Sequence, residues 1–273
     1  MKKCELEDIT IHYETRGSGR PLVMLHMGYH DHRHVLSDLE PLFEQREGWQ
    51  RIYPDLPGHG KTAAPAWMET QDQVLDVILK FIDQVVPGQH FAIGGVSRGG
   101  YLARGVVYSR PERVDGVLLI APAAGPAPRS PVPEHVTLVK DLAAVTELNR
   151  KESRYVEKRV VVQTRRVLDR LRAHSFPSFE LTDKRFQVRV MRHYDFSFEV
   201  DHSSAPFTKP ALFLVGRQDA DVGYQDAWAL LDDFPRATLA VLDRAGHFLS
   251  VEQEKLFGHL VAEWLDRVEE AAG

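Results

Sequence analysis

His90-Phe91-Ala92-Ile93-Gly94-Gly95-Val96-Ser97-Arg98-Gly99-Gly100-Tyr101 is the stretch on which the fold turns. A short apolar run leads into Gly95-Val96-Ser97-Arg98-Gly99, and a helix-like pattern of Tyr101, Leu102, Ala103, Val106 and Val107 follows. G-x-S-x-G in that setting specifies a serine held on a tight strand-to-helix turn. Such a turn strains the serine backbone, so the flanking residues must be nearly without side chains for strand and helix to approach. The helix N-terminus beneath it offers unpaired N–H groups and positive dipole character where an oxyanion would form.

Two rival glycine readings fail on spacing. A G-x-G-x-x-G pattern starting at Gly94 needs glycine at Val96, and one starting at Gly95 needs it at Ser97. Gly60-Lys61-Thr62 resembles the end of a phosphate loop, but the first glycine of that pattern falls on Asp55. No nucleotide site is expected.

With 273 residues, 43% hydrophobic and 27% charged, the chain has the composition of a globular protein of one large domain, or one domain with an insertion. A formal charge of −5 argues against a nucleic-acid partner. The single cysteine, Cys4, excludes an intramolecular disulfide and fits a reducing cytoplasm. Lys2 and Lys3 are followed by Glu5, Glu7 and Asp8 rather than an apolar signal core, and no apolar run spans a bilayer. The expectation is a cytoplasmic monomer or homodimer acting on a small molecule, without nucleic-acid or membrane partners.

Outward from the elbow, strand and helix patterns alternate, which specifies an α/β sheet. Ile9 to Thr15 reads as an edge strand, and Pro21 to His26 as a buried parallel strand ending in a loop. Arg51 to Asp55 is a shorter strand. Gln71 to Val86 is an amphipathic helix with Val74, Ile78, Phe81 and Val85 on one face, stopped by Pro87-Gly88. Val114 to Ala121 is another buried strand. Beyond a Pro/Ala/Gly-rich stretch the pattern turns helical and basic, with 15 Lys/Arg against 11 Asp/Glu over 125–205. That segment reads as a helical cap inserted into a core formed by 1–124 and 206–273. Alternation then resumes with a strand at Ala211–Val215, a helix at Tyr224–Phe234, a strand at Ala237–Leu242 and a helix at Leu256–Val268.

A serine nucleophile needs a base to take its proton and a third group to orient that base. Asp219 follows the strand ending at Val215, and His247 follows the one ending near Leu242. Both fall where a parallel sheet presents its carboxyl ends. His247 is the expected base and Asp219 the expected acid, with Asp221 the alternative. The oxyanion hole needs two N–H donors. One is the amide of Arg98; the other comes from His26-Met27-Gly28-Tyr29, with Gly28 the first choice and Met27 the alternative.

These motifs, with Asp55-Leu56-Pro57-Gly58-His59-Gly60-Lys61-Thr62 beside them, resemble those of the α/β-hydrolase fold superfamily over nearly the whole chain. The resemblance implies a mostly parallel eight-stranded sheet flanked by helices, with the helical cap inserted after the sixth strand. It also implies a Ser97–His247–Asp219 triad. Two departures stand out: Met27 occupies the place after the loop histidine where the family often has glycine, and Arg98 follows the nucleophile where an uncharged residue is usual. Haloalkane dehalogenases and epoxide hydrolases of this fold use an aspartate nucleophile, which Ser97 excludes. Carbon–carbon hydrolases of ring-cleavage products also use serine, but often carry Asn before it and Trp after the histidine; here those positions are Val96 and Phe248.

Other features invite a sharper reading. His26, His30, His32 and His34 crowd one loop beside Asp31, but there is no H-E-x-x-H and no second carboxylate at ligand spacing, so neither metal nor cofactor is expected. These histidines read as groups that satisfy backbone atoms and line a cleft entrance; His59 reads as structural. The arginines and lysines of the cap interleave with acids at i,i+4-type spacings, as solvated helix faces do. Arg98 is the better contact for a substrate carboxylate, with Tyr29 and Phe248 as further substrate-binding residues. Phe176, Phe179, Phe186, Tyr194, Phe196 and Phe198 suit an acyl pocket or the core equally well.

The expected activity is hydrolysis of a small to medium carboxylic ester, lactone or thioester. The alternatives are carbon–carbon bond hydrolysis and a ligand receptor that retains the triad with little turnover.

Overall fold

A computed structural model describes residues 1–125, 127–201 and 205–272. Eight strands form one sheet: β1 (Lys2–Glu5), β2 (Thr10–Arg16), β3 (Arg20–Leu25), β4 (Trp49–Pro54), β5 (Phe91–Val96), β6 (Val114–Ile120), β9 (Ala211–Gly216) and β10 (Ala237–Leu242). Their order is β1-β2-β4-β3-β5-β6-β9-β10. The β1–β2 and β2–β4 pairings are antiparallel and all others parallel. The expected edge strand, β2, is therefore covered by β1. Only Cys4 of β1 is buried, so that strand carries no alternation to announce it.

After β4 the chain crosses to the other side of β3 to form β5. That reversal puts the carboxyl ends of β3 and β5 side by side, with Leu25 in register with Gly95. A crevice forms at such a point in an open α/β sheet. Alternate residues feed opposite faces. Val23, Leu25, Ile93 and Leu119 pack with helices α2 (Gln71–Val85) and α3 (Arg98–Ser109). Leu22, Met24, Leu118 and Leu212 pack with α1 (His32–Leu39) and the C-terminal helix Glu254–Ala272.

Helix α1 was not expected; it starts at Asp31, whose side chain accepts from the Arg33 amide. Helix α2 opens on a capping box between Thr70 and Gln73. The helix expected at Tyr224–Phe234 is shorter, a helical turn at Gln225–Ala229 running into a 3-10 turn at Leu230–Asp233.

Among the described residues between β6 and β9 lie four α-helices, α4 (Leu142–Thr146), α5 (Arg150–Arg159), α6 (Arg165–His174) and α7 (Lys184–Met191), and a 3-10 helix at Phe176–Leu181. A two-residue parallel pair joins β7 (Val139–Lys140) to β8 (Val162–Gln163). Of the expected cap, Pro126 and His202-Ser203-Ser204 lie outside the described residues. Val156, Val167 and Leu171 of this segment join one core face, and Phe186, Val190 and Phe196 join the other. Among the described residues no helix is long and apolar enough to cross a membrane.

Candidate active site

Ser97 sits between β5 and α3 with φ 53° and ψ −116°, a left-handed conformation that is strained for serine. Three hydrogen bonds hold it there: its N–H donates to Ile120 O at 2.9 Å, and its carbonyl accepts from Tyr101 N and Ala123 N, both at 3.1 Å. The flanking glycines are required by space. A Cβ on Gly95 would lie 2.1 Å from Gly99 O, and one on Gly99 would lie 2.2 Å from Leu25 O.

His247 and Asp219 come from the loops after β10 and β9. The His247 Nδ1–H donates to Asp219 Oδ2 at 2.8 Å, leaving Nε2 with its lone pair. Asp219 is fully buried, and its other oxygen accepts from the amides of Asp221 at 2.8 Å and Val222 at 3.0 Å. Burial alone would lower the His247 pKa, but the Asp219 charge and hydrogen bond outweigh it and hold the imidazole above its ordinary value. Asp221, the alternative acid, pairs with Arg159 at 3.3 Å instead.

Ser97 and His247 open onto one cavity of about 270 Å³, together with Met27, Gly28, Tyr29, His30 and Arg98. Its far wall is Tyr155 and Arg159 of α5, Gln187 and Met191 of α7, and Tyr194. Arg104 braces the Ala123–Gly125 wall: it pairs with buried Asp201 and donates from Nη2 to Ala123 O at 2.8 Å. The Ser97 hydroxyl makes no hydrogen bond to His247 at this geometry; such contacts often tighten only with substrate bound. Among the described residues neither the Met27 nor the Gly28 N–H has an intramolecular acceptor, so both remain available as donors.

The histidines divide by role. His26 donates from Nδ1 to Met27 O at 2.8 Å and accepts at Nε2 from Leu56 N at 2.9 Å. His59 donates to Pro57 O at 2.9 Å and accepts from Tyr29 N at 3.3 Å, so both rings brace the loops beside the cavity. His32 and His34 belong to α1 rather than to a loop. His32 lies with Asp31 and Asp55 in a group whose polar atoms are within 4.8 Å of one another. Those carboxylates are already engaged: Asp55 accepts from His32 Nδ1, His32 N and Lys61 N, and Asp31 from Arg33. His30 lines the cavity and donates to Gly28 O at 3.0 Å; burial keeps it and His34, lowered to about 3, uncharged.

One expectation about substrate contacts needs correction. Phe248 lies behind the histidine rather than in the cavity wall, 1% exposed and packed on His34, Tyr155 and His247. Of the six aromatics near the end of the segment, only Tyr194 reaches the cavity. Phe186 and Phe196 are core, Phe196 stacking on Tyr101 with centroids 4.4 Å apart. Tyr29 stands exposed at the mouth, and Arg98 is buried beside Ser97.

Sequence reasoning missed Gln71, Gln187 and Glu252. A signal existed for the glutamines. Gln71 shares a face with Val74, Leu75 and Ile78, and Gln187 one with Val190; a polar residue on an apolar stripe marks a buried hydrogen bond. Both accept from Arg98, at 2.9 Å.

The sheet order, the elbow and the acid–histidine pair define an α/β-hydrolase-fold enzyme. The Hydrolase_4 family (serine aminopeptidase, S33) matches residues 17–254, and the chain belongs to it. A pimeloyl-[acyl-carrier protein] methyl ester esterase of Nitrosomonas europaea is 28% identical over 258 residues, 90% of this chain and 96% of the relative. A 2-hydroxy-6-oxononadienedioate/2-hydroxy-6-oxononatrienedioate hydrolase of Dechloromonas aromatica is 24% identical, covering 94% of this chain and 91% of the relative. The crystal structure of an alpha/beta superfamily hydrolase from Oenococcus oeni PSU-1 superposes with a TM-score of 0.88 at 26% identity, over 98% of this chain and all of that one. The chain is a hydrolase.

Proposed function

We propose that this hydrolase cleaves a small to medium carboxylic ester, lactone or thioester through an acyl-enzyme on Ser97. The observation that carries the reading is the 2.8 Å His247–Asp219 bond, set in the cavity onto which the strained Ser97 opens. Asp219 fixes the imidazole with its proton on Nδ1, so Nε2 takes the Ser97 proton as the hydroxyl attacks the carbonyl. The Arg98 amide, with that of Gly28 or of Met27 in its place, receives the developing oxyanion. The imidazolium then protonates the leaving group, and a water deprotonated by His247 releases the acid. The segment between β6 and β9 serves as the cap, since its Tyr155, Gln187 and Tyr194 close the cavity. The buried, unpaired Cys4 supports a reducing, cytoplasmic setting.

A second reading, carbon–carbon bond hydrolysis, is favoured by the relatives named as dienedioate hydrolases. Val96 and Phe248 weigh against it. A panel of short- and long-chain esters, lactones and dienoate ring-cleavage products separates the two. Ester or lactone turnover is the expected result; turnover of dienoates alone establishes the second reading, and binding without turnover establishes a receptor.

A further inference from the structure

Arg98 is 5% exposed, yet no carboxylate among the described residues pairs with it. The other two buried arginines among the described residues do not share this condition: Arg51 faces Glu40 and Arg104 faces Asp201. Arg98 instead donates from Nη1 to Gln187 Oε1 and from Nη2 to Gln71 Oε1. Both glutamines thereby spend their carbonyl oxygens on the guanidinium. Their own amide nitrogens, and Arg98 Nε, have no acceptor among the described residues.

The cluster is thus made of donors around one positive charge. Burying a cation without a counter-charge is costly, and so is each buried donor without an acceptor. Burial pushes the Arg98 guanidinium pKa down, opposed by the phenol groups of Tyr194 and Tyr29 and by no carboxylate. A structural arginine needs no such arrangement. Arg98, Gln187 and Tyr194 also line the cavity that Ser97 and His247 share. A planar anion seated in that cavity beside Arg98 supplies the missing counter-charge, and a guanidinium recognises carboxylates best of all side chains.

We propose that the Arg98–Gln187 wall is a carboxylate-binding subsite, and that the substrate cleaved at Ser97 is a short monoester carrying a free carboxylate. This rests on the reading of Ser97 as an acyl-transfer nucleophile.

Two matched pairs test it. Monomethyl glutarate against methyl glutaramate places the charge on the acyl side; acetoxyacetate against acetoxyacetamide places it on the alcohol side. Wild type prefers the charged member of one pair by about tenfold or more in kcat/KM, and Arg98→Met lowers that charged-to-neutral ratio by about ten- to a hundredfold, chiefly through KM. A wild type indifferent to charge in both pairs, or a ratio unmoved by Arg98→Met, overturns the proposal and leaves Arg98 as a brace between α2 and α7. A readout independent of turnover and of the variant's folding is calorimetric binding of glutarate against glutaramide to Ser97→Ala protein. Glutarate binds more tightly if the proposal holds, and equal binding overturns it. If the nucleophile reading alone fails, no ester of either charge is cleaved while the preference for glutarate persists.

Discussion

Glu252 accepts a hydrogen bond from the amide of Gly246, the residue before His247, at 2.6 Å. Its other oxygen accepts from the amides of Val161 at 2.6 Å and Val162 at 3.2 Å. One buried side chain therefore ties the histidine loop to the segment that closes the cavity. Burial pushes the Glu252 carboxyl up to about 7, although the three amides favour its charged form.

Replacing Glu252 by Gln keeps the shape but turns an NH2 toward at least one of those donors. Unfolding free energy in urea falls by about 1–3 kcal/mol, and kcat falls with it because His247 loses its anchor. An unchanged denaturation midpoint would contradict this account of the loop.

The pH dependence follows from the His247 pKa, which lies above its ordinary value. The base must be neutral, so kcat/KM rises with pH through an inflection above about 6.5. Asp219→Asn removes the charge that opposes burial, so the inflection moves down, and kcat drops by a factor on the order of 10⁴. Asp221→Asn removes a carboxylate that pairs with Arg159 and costs much less. Equal losses in the two variants would assign the acid wrongly.

Backbone approach at the elbow gives a contrast between two glycines. A Cβ on Gly99 meets the Leu25 carbonyl oxygen at 2.2 Å, and backbone on both sides leaves nothing to move aside. Gly99→Ala destabilises by about 1–3 kcal/mol. A Cβ on Gly28 meets nothing within 4 Å, and the alanine keeps the N–H, so Gly28→Ala changes stability by less than about 0.5 kcal/mol. Thermal denaturation of the pair checks both statements.

Most of the sheet was legible because its strands are buried runs bounded by turn residues, and the elbow because Gly95 and Gly99 have a single steric reason to be glycine. The placement of Ser97, Asp219 and His247 at the ends of β5, β9 and β10 was legible because each follows its own apolar strand. What stayed hidden depends on partners remote in sequence. Glu252 looks like any helix glutamate until Val161 and Val162 are brought to it. Arg98 could be noted as unusual, but not that Gln71 and Gln187 would hold it without a counter-ion. Phe248 was misplaced because its position after the histidine does not reveal on which side of the ring it packs. Helix α1 was obscured by its histidines, although Asp31 was a readable cap.

The central claim is that Ser97 is an activated nucleophile. Incubation with a fluorophosphonate probe, followed by mass-spectrometric mapping of the adduct, tests it most directly. The account predicts stoichiometric labelling on Ser97 in wild type and none in Ser97→Ala. Protein that is folded by circular dichroism yet takes no label on Ser97 would contradict it.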